Sequence, residues 1–148
     1  MNAVHYNLLL ADDDTDDCFF FREALGELPF MSTLTTVNNG VELMNRLTDQ
    51  SYHLPDILFL DLNMPLKTGI ECLMEIKLNE RLKSLPVIIC STSYNPDVVN
   101  LLHASGANNY IRKPAEFSQL KKVINEALKI TEHENSLPPS MDKFVIHP

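Results

Sequence analysis

Short apolar runs in this chain end in residues that can do chemistry. Leu8-Leu9-Leu10 gives way to Asp12 and Asp13, inside a stretch from Asp12 to Asp17 in which five of six residues are acidic. Ile57-Leu58-Phe59-Leu60 ends at Asp61, and Val87-Ile88-Ile89-Cys90 ends at Ser91-Thr92-Ser93. The weaker run Asn109–Ile111 is followed by Lys113-Pro114. Gathered in one crevice, these groups supply carboxylates, a hydroxyl and an ammonium. Crowded carboxylates raise one another's pKa unless a cation intervenes. A hard divalent ion with oxygen ligands removes that conflict, and Mg²⁺ in such a place keeps water and leaves room for phosphate oxygens. A carboxylate freed to approach an anionic phosphoryl group can attack phosphorus and form an aspartyl phosphate. Lysine and metal then neutralise the phosphoryl oxygens, and a nearby hydroxyl donates to them. The residue types therefore predict a Mg²⁺-assisted phosphoryl acceptor.

That prediction needs a frame that brings distant loops to one rim. The continuous apolar runs read as strands buried on both faces, as in a parallel sheet, with a further strand over Leu34–Val37. Between them apolar residues recur at helical spacing: Cys18, Phe21, Leu25 and Leu28; Val41, Leu43, Met44 and Leu47; Ile70, Leu73, Met74 and Ile76; Val98, Leu101 and Leu102; Phe117, Leu120, Ile124 and Leu128. Asn95-Pro96 reads as an N-cap with proline at the first helical position. Strand and helix thus alternate five times, a (βα)5 pattern that implies an α/β fold with helices on both faces of a doubly wound parallel sheet. Sites in such folds lie beyond the carboxyl ends of the strands, where the reactive residues stand.

The chain has 148 residues, a single-domain length. With 45% apolar and 22% charged residues it has ordinary globular usage, unlike a disordered or fibrous chain. Its net charge of −8, without a Lys/Arg run of five or more, argues against nucleic-acid binding. No apolar run approaches the roughly 20 residues that span a bilayer. Cys18, Cys72 and Cys90 are odd in number, widely spaced and set among apolar neighbours, which fits reduced thiols in the cytoplasm. The N-terminus MNAVHYNLLLADDD lacks a basic leader and a small-residue cleavage site, so no signal peptide is expected. Residues 131–148 change character, with Pro138-Pro139 and a terminal apolar patch Phe144-Val145-Ile146; they read as a tail, either mobile or docked.

As a set, the strand-end residues resemble the receiver domain of bacterial two-component response regulators, from about Asn7 to Lys129. The resemblance matches Asp12 and Asp13 to the acidic pair, Asp61 to the phosphoacceptor, Asn63 to the backbone-carbonyl metal ligand, and Pro65 and Gly69 to the following loop. It matches Ser91 to the switch hydroxyl, Tyr110 to the switch aromatic and Lys113 to the active-site lysine, whose bond to Pro114 the family usually holds in cis. The spacing is that of chemotaxis-type single-domain receivers, and LNERLKSLPVI with a serine switch resembles the phytochrome-associated subgroup. Serine in place of the commoner threonine, and a longer Leu43–Pro55 stretch, are mild departures.

The resemblance implies a five-stranded, flavodoxin-like (CheY-like) sheet of strand order 2-1-3-4-5. Residues 1–130 would form the receiver and residues 131–148 a tail with no output domain. A histidine kinase or histidine phosphotransfer protein would supply the phosphoryl group to Asp61. Mg²⁺ would be held by Asp13, Asp61 and the Asn63 carbonyl, with Asp12 acting through water. Lys113 would pair with the phosphate, Ser91 would bond it and Tyr110 would turn inward. The surface of the fourth helix, fifth strand and fifth helix would then change for a downstream protein, with homodimer formation left open and no DNA or membrane contact. Apart from its own phosphoryl transfer and slow dephosphorylation, such a protein is not an enzyme.

Several other readings compete. Asp14, Asp16 and Asp17 read as solvated first-turn charges favoured by the helix dipole, with Asp14 as cap. Tyr110 fits a plain core aromatic as well as a switch. The histidines lack ligand spacing, the cysteines suit core filling, and Phe19-Phe20-Phe21 cannot all face inward. Asp12, Asp14, Asp16 and Glu23 match calcium-loop positions, but Asp17 stands where that loop needs glycine. A Mg²⁺-dependent phosphatase using an Asp nucleophile is the main alternative. Haloacid-dehalogenase-type enzymes of this kind need a second Asp two positions on, where Asn63 stands. No glycine forms a nucleotide-binding loop.

Overall fold

A computed structural model describes residues 5–133 and 139–148. The elements run β1 His5–Ala11, α1 Thr15–Gly26, β2 Met31–Val37, α2 Gly40–Thr48, β3 Ile57–Asp61, α3 Gly69–Leu78, β4 Val87–Ser91, α4 Pro96–Ala104, β5 Asn109–Arg112 and α5 Phe117–His133, then α6 Met141–Phe144 and β6 Val145–Ile146. The five expected strand–helix units are present. All strands are parallel, in the order β2-β1-β3-β4-β5-β6.

The continuous apolar runs have the predicted cause. Successive side chains of a strand point to opposite faces, and both faces are covered. Leu9, Leu58, Leu60, Val87 and Ile89 pack with Leu43 and Leu47 of α2, Leu73 and Ile76 of α3, and Val99 and Leu102 of α4. Leu8, Leu10, Ile57, Phe59 and Ile88 pack with Phe21 and Leu25 of α1 and Val123, Ile124 and Leu128 of α5. Some predicted helix faces are shifted. In α4 it is Val99 and Leu102 that are buried, while Leu101 is exposed, as are Val41 in α2 and Met74 in α3. The short apolar helices offer too many apolar residues for one face, and packing chooses among them.

The sheet has one strand more than the five expected. Val145 pairs with Tyr110 and Ile146 with Ile111. Phe144 enters the core on the α4 side, and Ile146 enters it on the α5 side. The Asn109 side-chain amide donates to the carbonyls of Lys143 (3.3 Å) and Phe144 (3.1 Å), anchoring the returning segment. Val145 packs on the same side as Phe144 and Ile146 on the other, as alternation along β6 requires. No described peptide bond is cis, so Lys113–Pro114 is trans, unlike the family habit. No helix among the described residues is long and apolar enough to cross a membrane.

Candidate phosphoryl-acceptor site

Parallel register assembles the site. Ala11 pairs with Leu60, which sets Asp12, one residue on, beside Asp61 at the end of the next strand. Asp61 itself pairs with Cys90, so Ser91 lies one residue further along the adjoining strand. Carboxylate oxygens of Asp12, Asp13 and Asp61 all lie within 4.8 Å of one another. Asp12 and Asp61 are buried, whereas Asp13 opens to solvent. Asp12 is held at both oxygens: Oδ1 accepts from the backbone of Asp14 at 2.9 Å, and Oδ2 accepts from Lys113 at 2.7 Å. The loop after β3 closes tightly. Gly69 N–H donates to the Leu62 carbonyl at 2.9 Å, and a Cβ on Gly69 would meet the Asp61 carbonyl oxygen at 2.3 Å. In the same loop Leu66 holds a left-handed φ of 70°, a costly conformation for a residue with a branched side chain.

Lys113 crosses the crevice from the end of β5. Its Nζ lies 2.7 Å from Asp12 Oδ2, 3.0 Å from Asp17 Oδ2 and 3.8 Å from Asp61 Oδ1. Burial works against the ammonium, but hydrogen bonding to Asp12 and the charges of Asp61 and Asp12 outweigh it, and the pKa of Lys113 is raised. Asp61 is pushed up to about 6. Burial is the largest cause, Lys113 opposes it, and the Asp12 charge adds to it, while the Asn63 backbone N–H favours the carboxylate. Uncompensated negative charge around a buried carboxylate is what a divalent cation relieves. The donor set is all oxygen, with Asp13 and Asp61 the less encumbered, and it fits a hard divalent metal ion.

Ser91 is fully buried at the end of β4. Its Oγ lies 3.1 Å from Ser93 Oγ and accepts from the Ser93 backbone at 3.3 Å. Tyr110 is buried too, and its hydroxyl donates to the Ser93 carbonyl. Its ring meets Tyr94 edge-on, with centroids 6.1 Å apart. The aromatic is therefore already turned inward, and Ser93 joins it to the hydroxyl at Ser91. Asn63 is exposed in the loop after β3.

The structure thus brings Asp12, Asp13, Asp61 and Lys113 together, with Ser91 on the adjoining strand. Sequence reasoning missed two participants. Asp17, read as a solvated charge, reaches Lys113. Ser93, read only as part of a polar strand end, links Ser91 to Tyr110. Asp14 does cap α1, accepting from Asp16 and Asp17 backbone, and Asn95 caps α4. Cys72 and Cys90 are buried in the core as expected, with burial pushing Cys90 up to about 12. Of the three consecutive phenylalanines, Phe21 is buried while Phe19 and Phe20 are exposed. Phe20 and Phe117 line a cleft of about 490 Å³ that opens on Asp12, Asp17 and Lys113.

A doubly wound sheet carrying a strand-end carboxylate cluster with a lysine across it defines a phosphoryl-accepting signalling module. The chain belongs to the response regulator receiver domain family, whose model matches residues 8–125. It is 32% identical over 121 residues to the response regulator Rcp1 of Synechocystis sp., covering 79% of this chain and 82% of that one. Among solved structures, the phosphorylated cyanobacterial phytochrome response regulator RcpA superposes with a TM-score of 0.81 at 33% identity, covering 92% of this chain and all of that one. The Mn²⁺-bound form of Rcp1 gives 0.79 at 30% identity, covering 90% and 99%. These relatives agree with the phytochrome-associated features read in the sequence.

Proposed function

We propose that the protein is a receiver that takes a phosphoryl group onto Asp61 from the phosphohistidine of a kinase or phosphotransfer protein, in the presence of Mg²⁺. The observation that carries this reading is the convergence of three carboxylates within 4.8 Å at the strand ends, with the Lys113 ammonium among them. A carboxylate oxygen of Asp61 forms the new O–P bond as the P–N bond breaks. The electron pair stays on the departing imidazole nitrogen, which takes a proton from water. Asp12, Asp13, Asp61 and the Asn63 carbonyl would hold the ion, which supplies positive charge for the phosphoryl oxygens. Lys113, at the end of β5, supplies the rest.

Ser91 then has a new acceptor to bond, in exchange for its Ser93 partner. Tyr110, tied to Ser93, reports that exchange to the surface near α4 and β5. Such a switch needs two packings that differ by only a few kcal/mol. Exposed Phe20 at the cleft, with exposed Phe19 against its ring, offers apolar contact for a donor protein. The output is a change in binding to a protein target rather than turnover of a substrate.

The decisive experiment mixes the purified chain with acetyl phosphate and Mg²⁺ and follows intact mass. The wild type gains one phosphoryl group that acid or hydroxylamine treatment characterises as an acyl phosphate, and loses it slowly. Asp61→Asn stays unlabelled. Labelling of Asp61→Asn at wild-type level would place the acceptor elsewhere, and continuous rapid turnover of phosphate esters would favour a phosphatase.

A further inference from the structure

Asp17 stands at the third position of α1, where an acidic side chain ordinarily serves the helix: it reaches back to the N-cap N–H or simply faces the positive end of the dipole. Here the N-cap is Asp14, and its N–H is already taken by Asp12 Oδ1 at 2.9 Å. That bond frees the Asp17 carboxylate from the capping task. It turns across the crevice, onto a residue 96 positions away, and accepts from Lys113 Nζ at 3.0 Å. Asp16, one residue earlier in the same turn, is acidic and exposed, yet its carboxylate meets no donor among the described residues. First-turn charge alone therefore does not explain where Asp17 points.

The consequence lies in how one ammonium is shared. Lysine has three N–H donors. Two are committed, to Asp12 at 2.7 Å and to Asp17 at 3.0 Å, while Asp61 at 3.8 Å is beyond hydrogen-bond reach. Both committed partners belong to the segment that leads from β1 into α1. We propose that Asp17 is a positioning residue that holds Lys113 back from Asp61 in the resting protein, so that it favours the cation and opposes the phosphoryl anion. With Asp17 present, much of the lysine's charge is neutralised before any ligand arrives, which lowers its repulsion of a divalent ion next to Asp13 and Asp61. The same pairing means that a phosphoryl group on Asp61 must compete with Asp17 for the lysine. This inference rests on the reading of Asp61 and Lys113 given above.

The two effects have opposite signs, which separates them from damage to the fold. The test measures Mg²⁺ affinity by calorimetry and, at saturating Mg²⁺, affinity for the phosphoryl analogue beryllofluoride, in wild type, Asp17→Asn and Asp16→Asn. Asp17→Asn keeps an acceptor atom but removes the charge; Asp16→Asn makes the same change in net charge away from the lysine. Asp17→Asn is expected to weaken Mg²⁺ and tighten beryllofluoride, each by about three- to fivefold, the scale of one partly exposed ion pair. Asp16→Asn is expected to move both by less than half as much. The proposal is overturned if both affinities of Asp17→Asn move in the same direction, if either stays unchanged, or if Asp16→Asn matches it. A wild-type chain that binds neither ligand removes the underlying site reading, and this inference with it.

Discussion

The backbone N–H of Lys113 donates to the carbonyl of Ser91 at 2.7 Å. The two residues that would contact a phosphoryl group from one side are thus joined through the β4–β5 ladder, and neither can drift without the other. Their side chains are engaged differently. Lys113 is held by carboxylates, whereas the Ser91 hydroxyl is held by Ser93, whose carbonyl also takes the Tyr110 hydroxyl.

Ser91→Ala should therefore separate chemistry from signalling. Asp61, Lys113 and the acidic pair remain, so acetyl phosphate labelling should persist within several-fold of wild type. The lost partner of the Ser93 N–H should cost about 1 kcal/mol of stability. What should vanish is the tyrosine response. The chain has no Trp, so its four tyrosines dominate the near-ultraviolet signal. A beryllofluoride-induced change in tyrosine fluorescence that survives Ser91→Ala would break the proposed link.

Asp61 gives a pH signature with a definite sign. Its carboxyl is raised from the ordinary value of 3.8 to about 6, mainly by burial. A carboxyl raised on folding contributes its full stabilisation below pH 4 and loses it as pH climbs through 6. At neutral pH without metal, the ionised group is a net cost of about 3 kcal/mol. In chelator at pH 7.5, Asp61→Asn should melt above wild type, and the gap should close toward pH 4. Mg²⁺ should raise the melting temperature of the wild type in proportion to the logarithm of its concentration, with a much smaller effect on Asp61→Asn. Equal melting of the two proteins across that pH range would contradict the assigned cause.

Gly69 bears on Asp61 through sterics alone. An added Cβ would come within 2.3 Å of the Asp61 carbonyl oxygen and 2.8 Å of Leu62 Cα, both backbone atoms that cannot swing aside. Gly69→Ala should destabilise by about 1–3 kcal/mol, the range of overpacking. It should also slow labelling by shifting the end of β3, where a displacement of an ångström is costly. Unfolding and labelling rates both matching wild type would show that the loop yields freely.

The parts legible in the sequence were those with one strong cause. Double-sided burial forces continuous apolar runs, and the polar residue that ends each run marks the rim; Asp12, Asp61, Ser91 and Lys113 were found that way. Asp17 was hidden because its type is fully accounted for by the helix terminus. Only Asp12, by taking the Asp14 N–H, redirects it. Ser93 was hidden because its role runs through a backbone carbonyl, which any residue carries. β6 escaped because two paired residues are too short to show alternation, although the patch Phe144-Val145-Ile146 was visible. His103 shows no ligand spacing in the sequence, yet its Nε2 lies 2.8 Å from the Pro139 carbonyl oxygen and its ring meets Phe144. Contacts made by a returning terminal segment have no periodic trace on either side.

The returning segment yields the last prediction. Phe144 is fully buried, with its ring centroid 5.0 Å from that of His103. Truncating a core phenylalanine costs about 3–5 kcal/mol when the surroundings must stay in place. An element joined to the sheet through only two paired residues has another choice: it can leave the sheet, so the loss cannot exceed the free energy of docking it. Phe144→Ala should accordingly lower global stability by less than that range and expose the outer edge of β5. Hydrogen exchange should accelerate at residues 141–146 and at the Asn109–Arg112 strand, while β1 and β3 stay protected. Acetyl phosphate labelling should continue, because Asp61 and Lys113 do not touch the segment. Uniformly faster exchange through β1 and β3 would instead mean that α6 and β6 unfold together with the whole sheet, as an integral part of its core.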